Sequence, residues 1–192
     1  MRRILMVLAI LVCSVSVVSA GLISFGFGVH ASNPIPMDQV DGFGTIEDWR
    51  VGGEARFGLL FAEATASAAY DPASQMLVGM FTVGTSMSLF DLLHVGVGAG
   101  PAIAITMADG EVDWSYRNSN GAYIGATDLS DAVDNGVIHY RAHGDIKLGR
   151  VSLGMSVQVP SAGYTLAQNE VWKLTPSWED STLGASLLFW LF

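Results

Sequence analysis

A two-residue alternation of apolar and polar side chains runs through most of this chain, and it limits the fold more than any other feature. That period fits a strand with two unlike faces and fits no helix. Ile23, Phe25, Phe27 and Val29 alternate with Ser24, Gly26, Gly28 and His30. Val51, Ala55, Phe57 and Leu59 then alternate with Arg50, Gly52, Glu54, Arg56 and Gly58. Ala64, Ala66, Ala68 and Tyr70 face away from Glu63, Thr65 and Ser67, and Phe81, Val83, Met87 and Leu89 from Thr82, Gly84, Ser86 and Ser88. A fifth run sets Leu93, Val95, Val97 and Ala99 against His94, Gly96, Gly98 and Gly100. A sixth sets Ile138, Tyr140, Ala142, Ile146 and Leu148 against His139, Arg141, His143, Asp145 and Lys147. A seventh spans residues 151–159, and an eighth, roughly residues 181–192, is apolar on both faces near its end and leaves its register open.

Connections between these runs alternate in length. Tight turns are expected near Phe61-Ala62, Phe90-Asp91 and Gly149-Arg150, with Gly149 suited to the first central position of a type II′ turn. A two-residue turn at Phe61-Ala62 pairs Gly58 with Thr65 and Arg56 with Ser67, all on the polar face. Longer polar connections cover residues 33–46, 71–75, 108–135 and 161–180. The expected fold class is all-β, an eight-stranded antiparallel up-and-down transmembrane β-barrel. Residues 92–108 carry no formal charge, but Gly96, Gly98, Gly100 and Pro101 oppose a membrane helix there. A soluble lipocalin-like barrel would turn its apolar face inward. The Gly-rich polar face is the better lumen lining, because an eight-stranded interior only just holds its own side chains.

Residues 1–20 read as a cleaved signal peptide. Arg2 and Arg3 form its basic start, residues 4–12 its apolar run, and Val18-Ser19-Ala20 its small-residue cleavage site. That run is far shorter than the roughly 20 residues of a spanning helix. Cys13, the one cysteine, lies inside the segment 1–20 and follows Val12, a poor lipoprotein context. The remaining domain, 21–192, therefore lacks disulfides and Cys-metal sites. Removing residues 1–20 takes Arg2 and Arg3 from the 9 basic residues and none of the 18 acids, so the formal charge falls from −9 to −11. Nucleic acid is excluded as a partner, since binding it needs a basic footprint. A chain 51% apolar and only 14% charged accords with lipid outside and acids in loops.

The ending Leu187-Leu188-Phe189-Trp190-Leu191-Phe192 resembles the C-terminal signal of bacterial outer-membrane proteins. In that family a terminal Phe and the aromatic two residues before it are read by the barrel-assembly machinery. Phe192 and Trp190 match those positions, whereas Ser186 and Gly184 occupy positions that are usually apolar. Taken whole, the chain resembles the small barrels of the OmpA, OmpX and OmpW type, with no motif that selects one of them. The resemblance implies an outer-membrane location with periplasmic termini and extracellular long loops, and contact with membrane lipid and lipopolysaccharide. Two functions fit it: a narrow pore or hydrophobic conduit for small solutes, or a closed structural or adhesive barrel acting through acidic loops. Some small barrels modify lipid A with His and Ser or an acid. Here all four histidines fall on the lumen face and no nucleophile motif accompanies them, so no enzyme and no cofactor are expected.

His139-x-x-x-His143 would put two metal ligands on one face of a helix. On a strand the two lie roughly 13 Å apart at about 3.3 Å per residue, too far to share an ion. A site assembled with His30 or His94 is the alternative, but no metal ligands are assigned from the sequence, and polar lumen packing is expected. Counted up from the tight turns, Arg56 stands at the height of Asp145, Glu54 at that of Arg141 and His143, and Glu63 and Lys147 lie lower. With Arg50 and His139 they form an expected lumen network, for which the glycines leave room. Residues 108–135 hold Asp109, Glu111, Asp113, Asp128, Asp131 and Asp134 and read as a solvated surface loop without Ca-loop spacing. Trp49, Tyr70 and Tyr140 suit an interfacial girdle.

Overall fold

The computed structural model describes residues 23–34, 49–108, 111–118 and 121–191. The segment read as a signal peptide and the terminal Phe192 lie outside the described residues. Among the described residues ten strands form: β1 (Ile23–Asn33), β2 (Arg50–Leu59), β3 (Ala62–Asp71), β4 (Met76–Leu89), β5 (Leu93–Ala108), β6 (Glu111–Arg117), β7 (Tyr123–Ala126), β8 (Ile138–Leu148), β9 (Val151–Pro160) and β10 (Thr182–Trp190). An α-helix, α1 (Leu129–Asn135), follows β7, and two short 3-10 turns, Val171–Leu174 and Trp178–Asp180, lie between β9 and β10. β1 to β5 and β8 to β10 pair antiparallel with their chain neighbours, and β10 closes on β1 with Phe27 opposite Phe189. The fold is a closed eight-stranded up-and-down barrel.

Polarity follows the sequence period and is inverted relative to a soluble protein. The largest fully buried side chains include Arg56, Arg141 and Asp145, while Phe27, Phe57, Phe81, Val97, Leu153 and Met155 are exposed on the outer wall. In water such a belt would drive association. Lipid removes that penalty, and closure leaves no unpaired sheet edge inside it. The wall is that of a barrel crossing a membrane.

Tight turns cluster at one end and long connections at the other. Leu59 pairs with Ala62, so the first turn is Leu60-Phe61 and not Phe61-Ala62. Arg56 consequently pairs with Thr65 and Gly58 with Glu63. Moving the turn centre by one residue shifts every partner by two, which preserves the faces while changing the neighbours. Gly149 takes φ 69° between the paired Leu148 and Val151, a conformation open to glycine without strain. β1 begins and β10 ends at this same tight-turn end.

Residues 108–135 are not the irregular loop expected of them. β6 pairs with an upward extension of β5 and β7 pairs with β6, carrying a hairpin beyond the barrel wall. α1 follows, with the Asp128 carboxylate accepting from the Asp131 backbone N–H at 2.9 Å as its N-cap. The connection from β9 to β10 folds over the same end, where Ile138 N–H donates to the Tyr164 carbonyl and Ala167 N–H to that of Asp134. The register left open for the last run is now fixed. Thr182, Gly184, Ser186, Leu188 and Trp190 point inward, and Leu187, Phe189 and Leu191 outward.

Candidate functional site in the barrel lumen

β2 and β8 face each other across the lumen, and their inward side chains meet. The Arg56 guanidinium donates from Nη1 to Asp145 Oδ2 at 2.5 Å and from Nε to Glu54 Oε1 at 2.5 Å. Its Nη2 reaches Ser186 Oγ on β10 at 3.4 Å. Arg141 Nη2 donates to Glu54 Oε2 at 2.6 Å, and His30 Nδ1 lies 3.2 Å from that same oxygen. The side chains of Arg56, Glu54 and Asp145 have no solvent exposure. Charges in such surroundings are tolerable only when paired, and removing one partner costs about 3–5 kcal/mol because the other is stranded.

A second group lies toward the tight-turn end. Glu63 Oε2 is 2.8 Å from His94 Nε2, and its Oε1 is 3.3 Å from His143 Nε2. His94 Nδ1 meets Ser88 Oγ at 3.0 Å. The two imidazoles are stacked at a tilt with centroids 5.6 Å apart. Each of the three residues offers one donor atom within 4.8 Å of the others, so among the described residues this trio has metal-ligating spacing. Below it Trp190 packs edge-on against His94, its Nε1–H donating to Ser152 Oγ at 2.9 Å, and Lys147 Nζ sits 4.3 Å from the centre of its ring.

Glycines make this packing sterically feasible. A Cβ on Gly154 would lie 1.8 Å from Asp145 Oδ1, one on Gly96 2.4 Å from His143 Cε1, and one on Gly26 2.8 Å from the Trp190 ring. Each large inward side chain fills the space left by the glycine paired with it on the neighbouring strand. Cavities of about 40 Å³ beside Arg50 and His139 and about 10 Å³ beside Glu63 and Arg141 remain. Each holds at most a water or two.

Three residues expected in the network sit apart from it. Lys147 lies over Trp190 and not against Glu63, whose oxygens are taken by the two histidines. Arg50 pairs at the loop end with Asp71 at 2.7 Å. His139 points inward higher up, its Nδ1 bonded to the Val137 carbonyl at 2.8 Å. Conversely Ser88, Ser152 and Ser186, which sequence reasoning did not select, join the site, as do His30 and His94, which it named only as further partners for a metal. Their lumen-face parity was the available signal. Trp190, matched to an assembly signal, is an inward side chain only 4% exposed.

Among the described residues the loop-end acids form no group of metal-ligating spacing. Asp128 caps α1, and Asp131 accepts from Thr127 N–H at 2.8 Å and Asn135 Nδ2–H at 2.7 Å. The Thr127 backbone donor holds the Asp131 carboxyl below its ordinary range. Asp109 lies outside the described residues. Tyr140, near the outer end of β8, donates its hydroxyl hydrogen to the Leu174 carbonyl at 2.5 Å.

Among solved structures, the chain is similar to one described as "De novo design of transmembrane beta-barrels", at 8% sequence identity and a TM-score of 0.45 over 90% of this chain and 98% of that one. No protein-family model and no curated protein matches the chain. The barrel assignment rests on the strand pairing of this chain itself.

Proposed function

We propose that this chain is a closed outer-membrane barrel, non-catalytic, that works through its loop end and its lipid-facing wall and not by conduction through the lumen. The observation that carries this reading is the fully buried Arg56, Glu54 and Asp145 cluster spanning the interior. An aqueous path would have to break it, at the cost given above for stranding a buried charge. Tight turns and termini then face the periplasm, the hairpin and α1 face outward, and lipid and lipopolysaccharide surround the wall. Trp190 and Phe192 serve the assembly machinery, so Phe192→Ser lowers outer-membrane yield in cells more than folding in detergent.

The purified protein should migrate differently on gels before and after boiling, with a strand-dominated circular dichroism spectrum. In planar bilayers it should show no resolved conductance steps, whereas Arg56→Ala and Asp145→Ala should each raise conductance or destabilise the barrel. Steady single-channel currents from the parent protein would remove the closed reading.

One observation favours a second reading, a hydrophobic conduit. An apolar groove of about 680 Å³ lies on the barrel wall, lined by Val97, Ala99, Ala142, Val157, Val159 and Trp178 among others. An apolar solute following it would travel along the wall, and uptake of such a solute without ion current would support this path.

A further inference from the structure

Glu63, His94 and His143 come from three strands, β3, β5 and β8, and meet where the lumen has no water to spare. Their side chains are 5%, 6% and 3% exposed. We propose that they form a binding site for a divalent first-row transition cation, with Zn²⁺ the ion that best fits two imidazoles and one carboxylate.

Zinc binds such donors at about 2.0–2.1 Å with tetrahedral angles, which places neighbouring donors about 3.3 Å apart. Glu63 Oε1 and His143 Nε2 are already at 3.3 Å, and Glu63 Oε2 and His94 Nε2 at 2.8 Å. Closing three donors around an ion needs shifts of side chains only. Calcium and magnesium prefer oxygen shells and are poor matches to two nitrogens.

Three further observations point to a cation. First, His143 Nε2 has no hydrogen-bond partner despite its burial, because its approach to Glu63 is misaligned for one. A buried ring nitrogen left so carries a desolvation cost that a metal bond removes. Second, Ser88 Oγ bonds His94 Nδ1 at 3.0 Å, so with the proton on Nδ1 it would hold the ring while Nε2 exchanges its hydrogen bond with Glu63 for a metal, the outer-sphere arrangement typical of ligating histidines. Third, apart from the Arg50–Asp71 pair at the loop end, the buried lumen holds three carboxylates, Glu54, Glu63 and Asp145, against two guanidiniums, Arg56 and Arg141. Arg56 spends its bonds on Glu54, Asp145 and Ser186, and Arg141 bonds Glu54. Lys147 sits over Trp190. Glu63 is therefore the one of the three that no guanidinium bonds, met by the two imidazoles and by the Thr65 hydroxyl, which donates to its Oε1 at 3.3 Å. Asp145 Oδ2, 3.8 Å from His143 Nε2, stands next to the remaining coordination position.

Trp190 and Lys147 floor the site, so an ion enters as the barrel closes and exchanges slowly afterwards. The test follows from that. Full-length protein unfolded in urea with chelator, freed of the chelator and refolded into detergent with Co²⁺ should retain one Co²⁺ per chain, with the intense visible absorption of four-coordinate cobalt. Zn²⁺ present during refolding should displace it. His143→Gln and Glu63→Gln should each weaken retention at least tenfold, while His139→Gln, four residues along the same strand, should bind like the parent. No retained cobalt in the parent, equal retention in His143→Gln, or the weak spectrum of six-coordinate cobalt would each overturn the site. If a variant fails the boiled-against-unboiled gel test of folding, the parent spectrum decides alone. A proton held between Glu63 and the histidines, in place of a metal, predicts the colourless outcome.

Discussion

Two sets of ion pairs in this chain use the same kinds of side chain in opposite surroundings. In the lumen Arg56 and Asp145 meet at 2.5 Å with neither side chain exposed. At the loop end Arg117 and Asp180 stand 3.7 Å apart with side chains 23% and 44% exposed. Water competes for the second pair and screens it, so it contributes little. The first pair has only its protein partners, so water does not make good the loss of either side chain. The difference is one of dielectric surroundings, not residue type.

The comparison breaks most directly at Arg56. Arg56→Ala should lower the unfolding free energy by about 3–5 kcal/mol, read from urea titration in lipid vesicles, because Asp145 is stranded and Glu54 keeps only Arg141 and His30. A loss below about 1 kcal/mol would mean that water reaches the cluster. Arg56→Ala with Asp145→Ala should lose less than the two separate losses added, and strict additivity would show the residues uncoupled. Gly154→Ala comes next. Its Cβ would overlap Asp145 Oδ1, and displacing that carboxylate should cost about 1–3 kcal/mol in the same titration. Arg117→Ala should cost about 0.2–1 kcal/mol and less still in high salt; a larger loss would make the loop end as coupled as the lumen. Smallest of all is Gly125→Ala on β7, where a Cβ meets nothing within 4 Å, and a change within about 0.5 kcal/mol is expected.

Face assignment was legible from the sequence because the strand period is local. His30, Glu54, Arg56, His94 and Asp145 all sit inside as their parity requires. Partner assignment was less legible. The turn at Leu60-Phe61 slipped by one residue without disturbing parity, so nothing in the alternation marked the slip. Glu63 was assigned to Lys147 by height alone, but Trp190 offered the ammonium a ring and the histidines reached the carboxylate first. The last strand was unreadable because Leu188, 1% exposed inside, is as apolar as Leu187 and Phe189 outside. In residues 108–135 the acids masked a short alternation, Val112, Trp114 and Tyr116 against Asp113, Ser115 and Arg117, although Asn120-Gly121 signalled a turn. α1, at seven residues, is too short to show a helical period.

The seam between β1 and β10 has a consequence for how the chain folds and unfolds. Phe27 and Phe189 pair across 162 positions, whereas the other barrel strands pair with chain neighbours. No local turn can nucleate that pairing, so it must come late and slowly. Trp190 becomes enclosed by Gly26, His94 and Ser152 only when the last strand has docked, while Trp172 and Trp178 stay 73% and 56% exposed. Its fluorescence is therefore a natural clock for closure. Reopening the seam would expose a row of backbone donors and acceptors to hydrocarbon at several kcal/mol each. The lifetime of the folded state is then set by that barrier, and the chain persists in its membrane for kinetic reasons even where its equilibrium margin is small.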